Sequence, residues 1–294
     1  MADHTAEYRV KGLAASAGPV PKAKRCREAL SVSHALLTQD PALICGAQSA
    51  LRVAARSVHV WAFDLRASAA CLDECRQTLC RIERSRAERF VHAASRNDFV
   101  VAHGVLRHLL GRYTGKEARD LKFASGPNGK PALDAPGSDG SVISFNMTHS
   151  QGRALIAVSD GREVGIDLEK IKPDVKALAI AQRYFASAEL AAIEGAPAPL
   201  QAGTFFRYWV AKEALLKGQG IGLRFPIDEF EVQFDAGNLS ARVRIREPSG
   251  LSGDWTVQIL PVEAGWAGAL AVRGSNWTLK LENPQQAPER GAAR

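Results

Sequence analysis

The apolar positions of this chain follow two periods from residue 58 onward, the two-residue period of a strand and the 3.6-residue period of a helix. Before the turn signal Asp160-Gly161, they predict a strand at 58–65, a helical stretch near 69–90, a long helix near 97–113, and short strands at 121–124, 142–147 and 154–159. After that turn the same order of strand, helices, long helix and strands returns. The pattern therefore predicts two similar halves.

The second half is predicted to begin with a strand at 163–169, followed by helices near 175–183, 186–194 and 201–218. Strands follow near 229–234, 241–246, 255–260, 268–272 and 277–281. Helices set against runs of strands, without strict alternation of the two, are typical of the α+β class. We expect an N-terminal subdomain at 58–161 and a C-terminal subdomain at 162–281.

The flanking segments lack sustained periodicity. Residues 1–57 mix Ala, Ser, Gly and Pro with a basic cluster at 22–27, and we interpret them as a poorly ordered N-terminal extension. One alternative is a short helix near 27–37. The other is that translation begins at a later residue than residue 1. Residues 282–294 are interpreted as a tail.

Composition and charge narrow the function classes. The 294 residues are 46% apolar, enough for a full core, and no run approaches the roughly 18 consecutive apolar residues of a membrane span. The N-terminus has no signal-peptide pattern, so we expect a cytoplasmic protein without membrane contact. Of the formal charge of +7, residues 58–281 carry little, because most of the basic excess lies in residues 1–57. That distribution favours a polyanionic small molecule or an acidic protein partner over nucleic acid.

The cysteines show no metal-binding spacing. They form no Cys-x-x-Cys pair, and no histidine follows the last three at zinc-finger distance, so the sequence favours free reduced thiols. Cys71 and Cys75 lie one helical turn apart, and at least one of them is expected to pack inside as a small apolar residue.

Two carboxylates share one face of the predicted strand 163–169. Val164, Ile166 and Leu168 alternate with Gly165, Asp167 and Glu169, so one face is apolar and the other acidic. A solvated edge strand is the simpler explanation. Adjacent like charges become favourable when a cation lies between them, and oxygen ligands without Cys or His select a hard ion such as magnesium.

A third acid, Glu213, lies on the predicted long helix. Trp209, Glu213 and Lys217 follow at four-residue intervals and share a face. A surface salt bridge between Glu213 and Lys217 would stabilise by only about 0.3–0.5 kcal/mol and leaves Lys212 unexplained. The alternative is that Glu213 reaches a metal or a substrate hydroxyl while Lys217 neutralises phosphate. Gly218 to Gly222 follow this helix, so we assign them to helix capping and not to nucleotide binding.

Two loops are weaker anion-binding candidates. The turn at 126–131 presents Lys130 beside exposed amides but lacks the Gly-Lys-Ser/Thr of a Walker loop. The segment 145–150 is predicted to end a strand and to leave Thr148, His149 and Ser150 in a loop, where they could donate to phosphate oxygens. A purely structural histidine loop is the alternative. No Gly-x-Ser-x-Gly elbow supports a hydrolase triad.

Four motifs follow one another along the chain in the order found in a known family. They are Gly129-Lys-Pro131, Phe145-Asn-Met-Thr-His-Ser150, Gly165-Ile-Asp-Leu-Glu169 and Trp209-x-x-Lys-Glu-x-x-x-Lys217. With them, residues 58–281 resemble the surfactin-type 4'-phosphopantetheinyl transferases. The resemblance implies an α+β pseudo-dimer of two similar α/β subdomains with the active site in the cleft between them. It also implies a monomer.

The resemblance further assigns ligands to individual residues. It implies that Asp167, Glu169 and Glu213 bind Mg²⁺, and that coenzyme A contacts Arg86, Lys130, Thr148, His149 and Lys217. Two positions depart from the family pattern. Thr148 stands where serine is usual, which keeps the hydroxyl, and Asp98 stands where a coenzyme-A-binding arginine is usual, with Arg96 nearby.

The expected reaction transfers the 4'-phosphopantetheine arm of coenzyme A to a serine of an apo acyl- or peptidyl-carrier protein and releases 3',5'-ADP. Glu213 is the expected activator of the serine hydroxyl, and Lys217 is expected to stabilise charge. Carrier proteins of fatty-acid, polyketide and non-ribosomal peptide biosynthesis all fit. A non-catalytic carrier-binding homologue is the alternative, but it would be expected to lose Glu213 or a metal ligand, and all are present.

Overall fold

The computed structural model describes residues 36, 38–47, 49–126, 128–222, 225–235, 240–245, 251 and 253–282. The helix considered near 27–37 and nearly all of the predicted tail lie outside these residues. None of the helices in this part of the chain is long and apolar enough to cross a membrane.

In the first half of the chain, most of the helices lie between the first strand and the later strands. A short helix α1 (Ala42–Cys45) precedes strand β1 (Ser57–Asp64), helices α2 (Ala69–Thr78), α3 (Arg81–Glu88) and α4 (Ala93–Thr114), and a 3₁₀ turn at Ala118–Asp120. Strands β2 (Phe123–Ser125) and β3 (Pro131–Leu133) pair as a separate hairpin, and β4 (Ser144–Ser150) and β5 (Arg153–Ser159) follow. From β1 onward, the order of strand, helices and further strands agrees with the elements predicted from the periodicity.

The second half begins at β6 (Val164–Lys170) and continues with α5 (Ala177–Tyr184), α6 (Ser187–Glu194) and the long helix α7 (Ala198–Gln219). Strands β7 (Phe230–Phe234), β8 (Ser240–Ile245), β9 (Trp255–Ile259), β10 (Trp266–Arg273) and β11 (Thr278–Leu281) complete it. The mixed content confirms the α+β class.

Two sheets organise these strands. The four-stranded sheet has the order β11-β1-β5-β4, and the five-stranded sheet has the order β6-β10-β9-β8-β7. All neighbours in the two sheets are antiparallel except β11, which pairs with β1 in parallel. The last strand of the second half therefore completes the sheet of the first half.

Three apolar cores fix the order of the layers. One face of the four-stranded sheet packs against α2, α3 and α4, and one face of the five-stranded sheet packs against α5, α6 and α7. The opposite faces of both sheets meet in a third core, to which β1 contributes Val58 and Val60, and β6 contributes Val164, Ile166 and Leu168. The result is a helix, sheet, sheet, helix sandwich with β4 and β6 at neighbouring edges.

The structure differs from the predicted elements at three places. The helical stretch near 69–90 is two helices, because the chain is extended at Leu79 and Cys80, where the amide of Cys80 donates to the Glu83 carboxylate at 2.8 Å. The strand β3 was not predicted. Third, the prediction of a loop at Thr148 to Ser150 is wrong, since β4 continues to Ser150 and turns into β5 through Gln151 and Gly152, both with positive φ.

The described part of the predicted extension is packed on the fold. Leu36, Ile44 and Val53 are buried, and Gln39 forms a β-bridge with Phe63. The folded unit thus includes residues before 58, while the rest of the segment lies outside the described residues.

Candidate active site

Strand β6 presents its acidic face to helix α7. Gly165 allows this contact, because a Cβ at that position would lie 2.0 Å from the carbonyl oxygen of Ala214. Across β10, the partners of Gly165 and Asp167 are Ala271 and Ala269, which are also small. The close packing brings the last turns of α7 over the carboxylates of β6.

The Asp167 carboxylate is bonded on one oxygen only. Its Oδ1 accepts from Nζ of Lys217 at 2.6 Å and from the Thr148 hydroxyl at 3.2 Å, and Lys217 also donates to Thr148 at 3.0 Å. Asp167 is only 3% exposed, and its Oδ2 is buried without a hydrogen-bond partner among the described residues. A buried oxygen of this kind is costly unless a ligand or ion completes it.

Strand β4 lines the acidic face from the other side with a row of polar side chains. Asn146, Thr148 and Ser150 share one face; Asn146 Oδ1 accepts from the amide of Ile166 at 2.8 Å, and the Ser150 hydroxyl donates to Glu169 at 3.1 Å. Asn146 was not among the predicted site residues, and Ser150 was predicted only as a loop residue that could donate to phosphate. The two-residue alternation of Asn146, Thr148 and Ser150 is the signal that could have identified them.

We call Asp167, Glu169 and Glu213 the acid cluster. Burial raises the pKa of Glu213 to about 7, and the negative charges of Asp167 and Glu169 add to this rise while Lys217 opposes it. Burial also raises the pKa of Glu169, with Asp167 as the next cause. The acid cluster therefore holds more negative charge than its single lysine balances.

The acid cluster fits a hard divalent cation by its chemistry. Its donors are all carboxylate oxygens, and one of them, Asp167 Oδ2, lacks a partner. The oxygens of the three carboxylates do not all lie within 4.8 Å of one another, since the groups of His, Cys, Asp and Glu that meet this spacing in the described residues lie elsewhere. All three carboxylates would reach one ion only after side-chain rotation.

Lys130 lies at the C-terminal end of α7, where it makes backbone contacts. Its Nζ donates to the carbonyl oxygens of Val164 at 2.9 Å and Gly218 at 2.5 Å, and burial lowers its pKa to about 8. Lys130 and Gly220 line a pocket of about 390 Å³. The helix itself ends at Gly220 with φ of 68°, which confirms the capping role of this glycine segment.

His149 lies on the opposite face of β4 from Thr148, so the two do not share a site wall. Burial lowers the pKa of His149, and the nearby Asp98 carboxylate opposes this shift. Arg96 donates to the carbonyl oxygen of Phe90 at 3.1 Å, and Arg86 is exposed with its guanidinium carbon 5.5 Å from the Phe99 ring centroid. In the contacts of the described residues, neither arginine bonds to the acid cluster.

Lys212 and Trp209 of the long-helix motif serve the fold. Nζ of Lys212 lies 2.8 Å from the Glu189 carboxylate, and both side chains are 1% exposed. The Trp209 ring stacks on Phe205 and Phe185. Lys217 forms its salt bridge with Asp167. The alternative of a salt bridge between Lys217 and Glu213 is therefore not what the structure shows.

The acid cluster, Lys217 and the hydroxyls of Thr148 and Ser150 bring acidic, basic and hydroxyl side chains together at one edge. Residues 163–271, which carry the acid cluster, match the model of the 4'-phosphopantetheinyl transferase superfamily. The chain is 33% identical over 226 residues to the 4'-phosphopantetheinyl transferase HetI of Nostoc sp., a match that covers 76% of this chain and 91% of HetI. The chain therefore belongs to the 4'-phosphopantetheinyl transferase superfamily.

Two further comparisons cover less of this chain. The chain is 31% identical over 152 residues to the 4'-phosphopantetheinyl transferase Sfp of Bacillus subtilis, covering 51% of this chain and 64% of Sfp. A solved holo-ACP-synthase of Plasmodium yoelii matches 39% of this chain and 95% of its own length, at 22% identity and a TM-score of 0.32. At that TM-score the match does not bear on the fold.

Proposed function

We propose that this 4'-phosphopantetheinyl transferase moves the phosphopantetheine arm of coenzyme A to a serine hydroxyl of an apo acyl- or peptidyl-carrier protein. The observation that carries the proposal is the acid cluster between β4, β6 and α7, with Lys217 bonded to Asp167 and one buried carboxylate oxygen left without a partner. The two halves then form a pseudo-dimer, with coenzyme A bound along the edge where β4 and β6 meet.

Asp167, Glu169 and Glu213 are the residues that would hold Mg²⁺. The ion would neutralise the pyrophosphate of coenzyme A and stabilise charge in the in-line transfer. Thr148 and Ser150 would keep Asp167 and Glu169 oriented, since their hydroxyls already donate to these carboxylates.

Glu213 is the proposed base for the acceptor serine. In the metal-free site, burial and the neighbouring carboxylates raise the pKa of Glu213 to about 7, which makes it a better proton acceptor than an ordinary glutamate. The serine oxygen forms the new bond to phosphorus, the bond between the two phosphates breaks, and 3',5'-ADP leaves with that electron pair. The serine proton passes to Glu213, directly or through a water.

The basic and hydroxyl side chains are proposed to bind coenzyme A. Lys217 would share its charge between Asp167 and a phosphate oxygen, and Thr148 would contribute its hydroxyl beside it. Lys130, His149 and Arg86 are proposed as further phosphate contacts around this edge. Lys130 would exchange its bonds to two backbone carbonyls for a phosphate, whose negative charge would favour the protonated amine that burial disfavours.

The test is to incubate the protein with coenzyme A, MgCl₂ and an apo acyl-carrier protein, and in parallel an apo peptidyl-carrier protein, and to follow the carrier by intact-mass spectrometry. We expect addition of one phosphopantetheine group, loss of the reaction in EDTA, and no reaction with Asp167→Ala. Asp174→Ala, which changes an exposed aspartate after β6, is the matched control and should transfer normally. Wild-type turnover by Asp167→Ala, or no mass gain with either carrier, would refute the proposal.

A further inference from the structure

Three cysteines converge where α1 and α2 meet. Cys45 is the last residue of α1, and Cys71 and Cys75 lie one turn apart on α2. Their three Sγ atoms all lie within 4.8 Å of one another, and all three thiols are free. Cys71 and Cys75 are both buried, which confirms the expectation that at least one packs inside, but the third sulfur brought next to them was not predictable from spacing.

The distance between Cys45 Sγ and Cys75 Sγ is 3.8 Å. In a tetrahedral site with Zn–S bonds of ~2.3 Å, neighbouring sulfurs are separated by about 3.8 Å, whereas a disulfide requires about 2.05 Å. The pair of thiols is therefore spaced like two ligands of one ion.

A histidine lies beside the same sulfur. Cys45, Glu74 and His108 form a second group whose ligand atoms lie within 4.8 Å of one another, so Cys45 belongs to both groups. Nε2 of His108 is buried and has no hydrogen-bond partner among the described residues, and the Glu74 carboxylate lies 3.9 Å from it. Rotation of the imidazole that brings Nδ1 toward the thiols would complete four donors and leave Nε2 beside Glu74, which can accept from it.

The scaffold around the cluster is fixed by close helix packing. A Cβ at Gly104 of α4 would lie 2.3 Å from Cβ of Cys75, so glycine lets α4 touch α2 at the cluster. His108 follows one turn later on the same face of α4. An open pocket of about 650 Å³, lined by Cys45, Glu74 and His108 and by the basic residues Arg112, Lys116 and Arg119, provides an entry path.

We propose that Cys45, Cys71, Cys75 and His108 form a zinc-binding site. Three thiolates and a neutral imidazole around Zn²⁺ leave one negative charge. The pocket lining has three basic residues against the acidic Glu74 and Glu117, and this basic excess offsets that charge. The three thiol protons are released to solvent on binding. The site joins α1, α2 and α4 and shares no residue with the acid cluster, so its role is structural and independent of the transfer reaction.

The test uses the reduced, EDTA-treated full-length protein titrated with Co²⁺ and then Zn²⁺. We expect one equivalent of Co²⁺ to produce the thiolate charge-transfer band and the intense visible bands of tetrahedral cobalt, and Zn²⁺ to remove both. Zinc should also raise the melting temperature of the reduced protein. Absence of the cobalt bands would overturn the proposal.

Single substitutions distinguish loss of zinc binding from loss of the fold. Cys45→Ser, in the half-buried short helix, and His108→Gln should each weaken Zn²⁺ binding by about tenfold or more while keeping a native circular dichroism spectrum. Cys80→Ser is the matched control, because Cys80 lies outside the cluster at the start of α3, where serine is a good cap. Unchanged affinity in Cys45→Ser would overturn the proposal, as would a Cys45–Cys75 disulfide found by non-reducing peptide mapping of the freshly purified protein.

Discussion

Helices α4 and α7 are both 22 residues long, both pack on the outer face of a sheet, and both end at a glycine with positive φ, 69° at Gly115 and 68° at Gly220. Each also carries a buried cation paired with a preceding helix. Arg107 lies 2.8 Å from Glu83 of α3, and Lys212 lies 2.8 Å from Glu189 of α6. These shared features hold each helix against its own half.

In the described structure, no buried nitrogen or oxygen of these four side chains is without a hydrogen-bond partner. Arg107 also donates to the carbonyl oxygens of Ala118 and Leu121. Lys212 donates to those of Ile227 and Phe230, while Glu189 accepts from two backbone amides. A buried ion pair is tolerated when its remaining donors and acceptors are satisfied in this way. No group is left to act on a substrate.

The difference lies at the next residue of α7, Glu213, and at Lys217 one turn beyond it. There Glu213 and Lys217 face the carboxylates of β6, the pKa of Glu213 is raised, and an oxygen of Asp167 has no partner in the described structure. Charged side chains whose hydrogen bonds are satisfied within the protein stabilise the fold. Charged side chains with an unsatisfied atom are candidates for binding a ligand.

The largest effect is expected from Glu213→Gln. Loss of the proposed base and metal ligand should lower the transfer rate by about 10³-fold or more, equivalent to about 4 kcal/mol in the barrier, without loss of the fold. Steady-state transfer assays measure the rate, and thermal melts measure whether the fold is kept. The control is Glu194→Gln, an exposed glutamate at the end of α6, which should keep full activity. A rate within a few-fold of wild type would exclude Glu213 from the chemistry.

Lys212→Met should instead destabilise the protein, by about 3–4 kcal/mol, because it leaves the Glu189 carboxylate buried without its cation. Urea unfolding measures the loss. Arg107→Met is the matched change on α4. It leaves the Glu83 carboxylate without its cation and should destabilise the protein in the same way. If Lys212→Met lowered transfer in the remaining folded protein as much as Glu213→Gln does, the assignment of Lys212 to the fold would be wrong.

Gly165→Ala should cost about 2–3 kcal/mol, since the new methyl group would overlap the Ala214 carbonyl and force β6 away from α7. It should also lower activity by displacing Asp167 from Lys217. Gly203→Ala is the control, because a Cβ there meets nothing within 4 Å. That substitution, within a helix, should stabilise the protein by up to about 1 kcal/mol. Equal melting temperatures for the two variants would contradict the close contact.

The smallest effect concerns pH. The folded-state pKa of Glu213 is raised from 4.5 to about 7, so the folded protein binds the proton more tightly than the unfolded chain does. Stability without divalent metal should therefore fall by about 1–3 kcal/mol as pH rises from about 5 to 8. Glu213→Gln should reduce this slope, and MgCl₂ should recover stability at pH 8. A wild-type slope in Glu213→Gln would place the titration in another group.

The sequence predicted the parts of the site that local periodicity encodes. The acidic face of β6 follows from strict alternation, and Glu213 and Lys217 follow from helical spacing. The strand at Thr148 and Ser150 was missed because its polar residues look like a loop until β6 supplies their partners. The partner of Lys212 and the thiol cluster were missed for the same reason, since Glu189 and Cys45 are brought in by tertiary packing alone.

The parallel pairing of β11 with β1 has a consequence for the order of folding. Strand β1 is buried along nearly its whole length, yet the strand that covers its edge follows all the other described strands in the chain and is therefore made long after β1. Until then the growing chain exposes an unpaired strand edge, which favours intermolecular pairing. Closing a loop of this length also slows folding. We therefore expect a chain ending at residue 271, where the family match stops, to aggregate during synthesis.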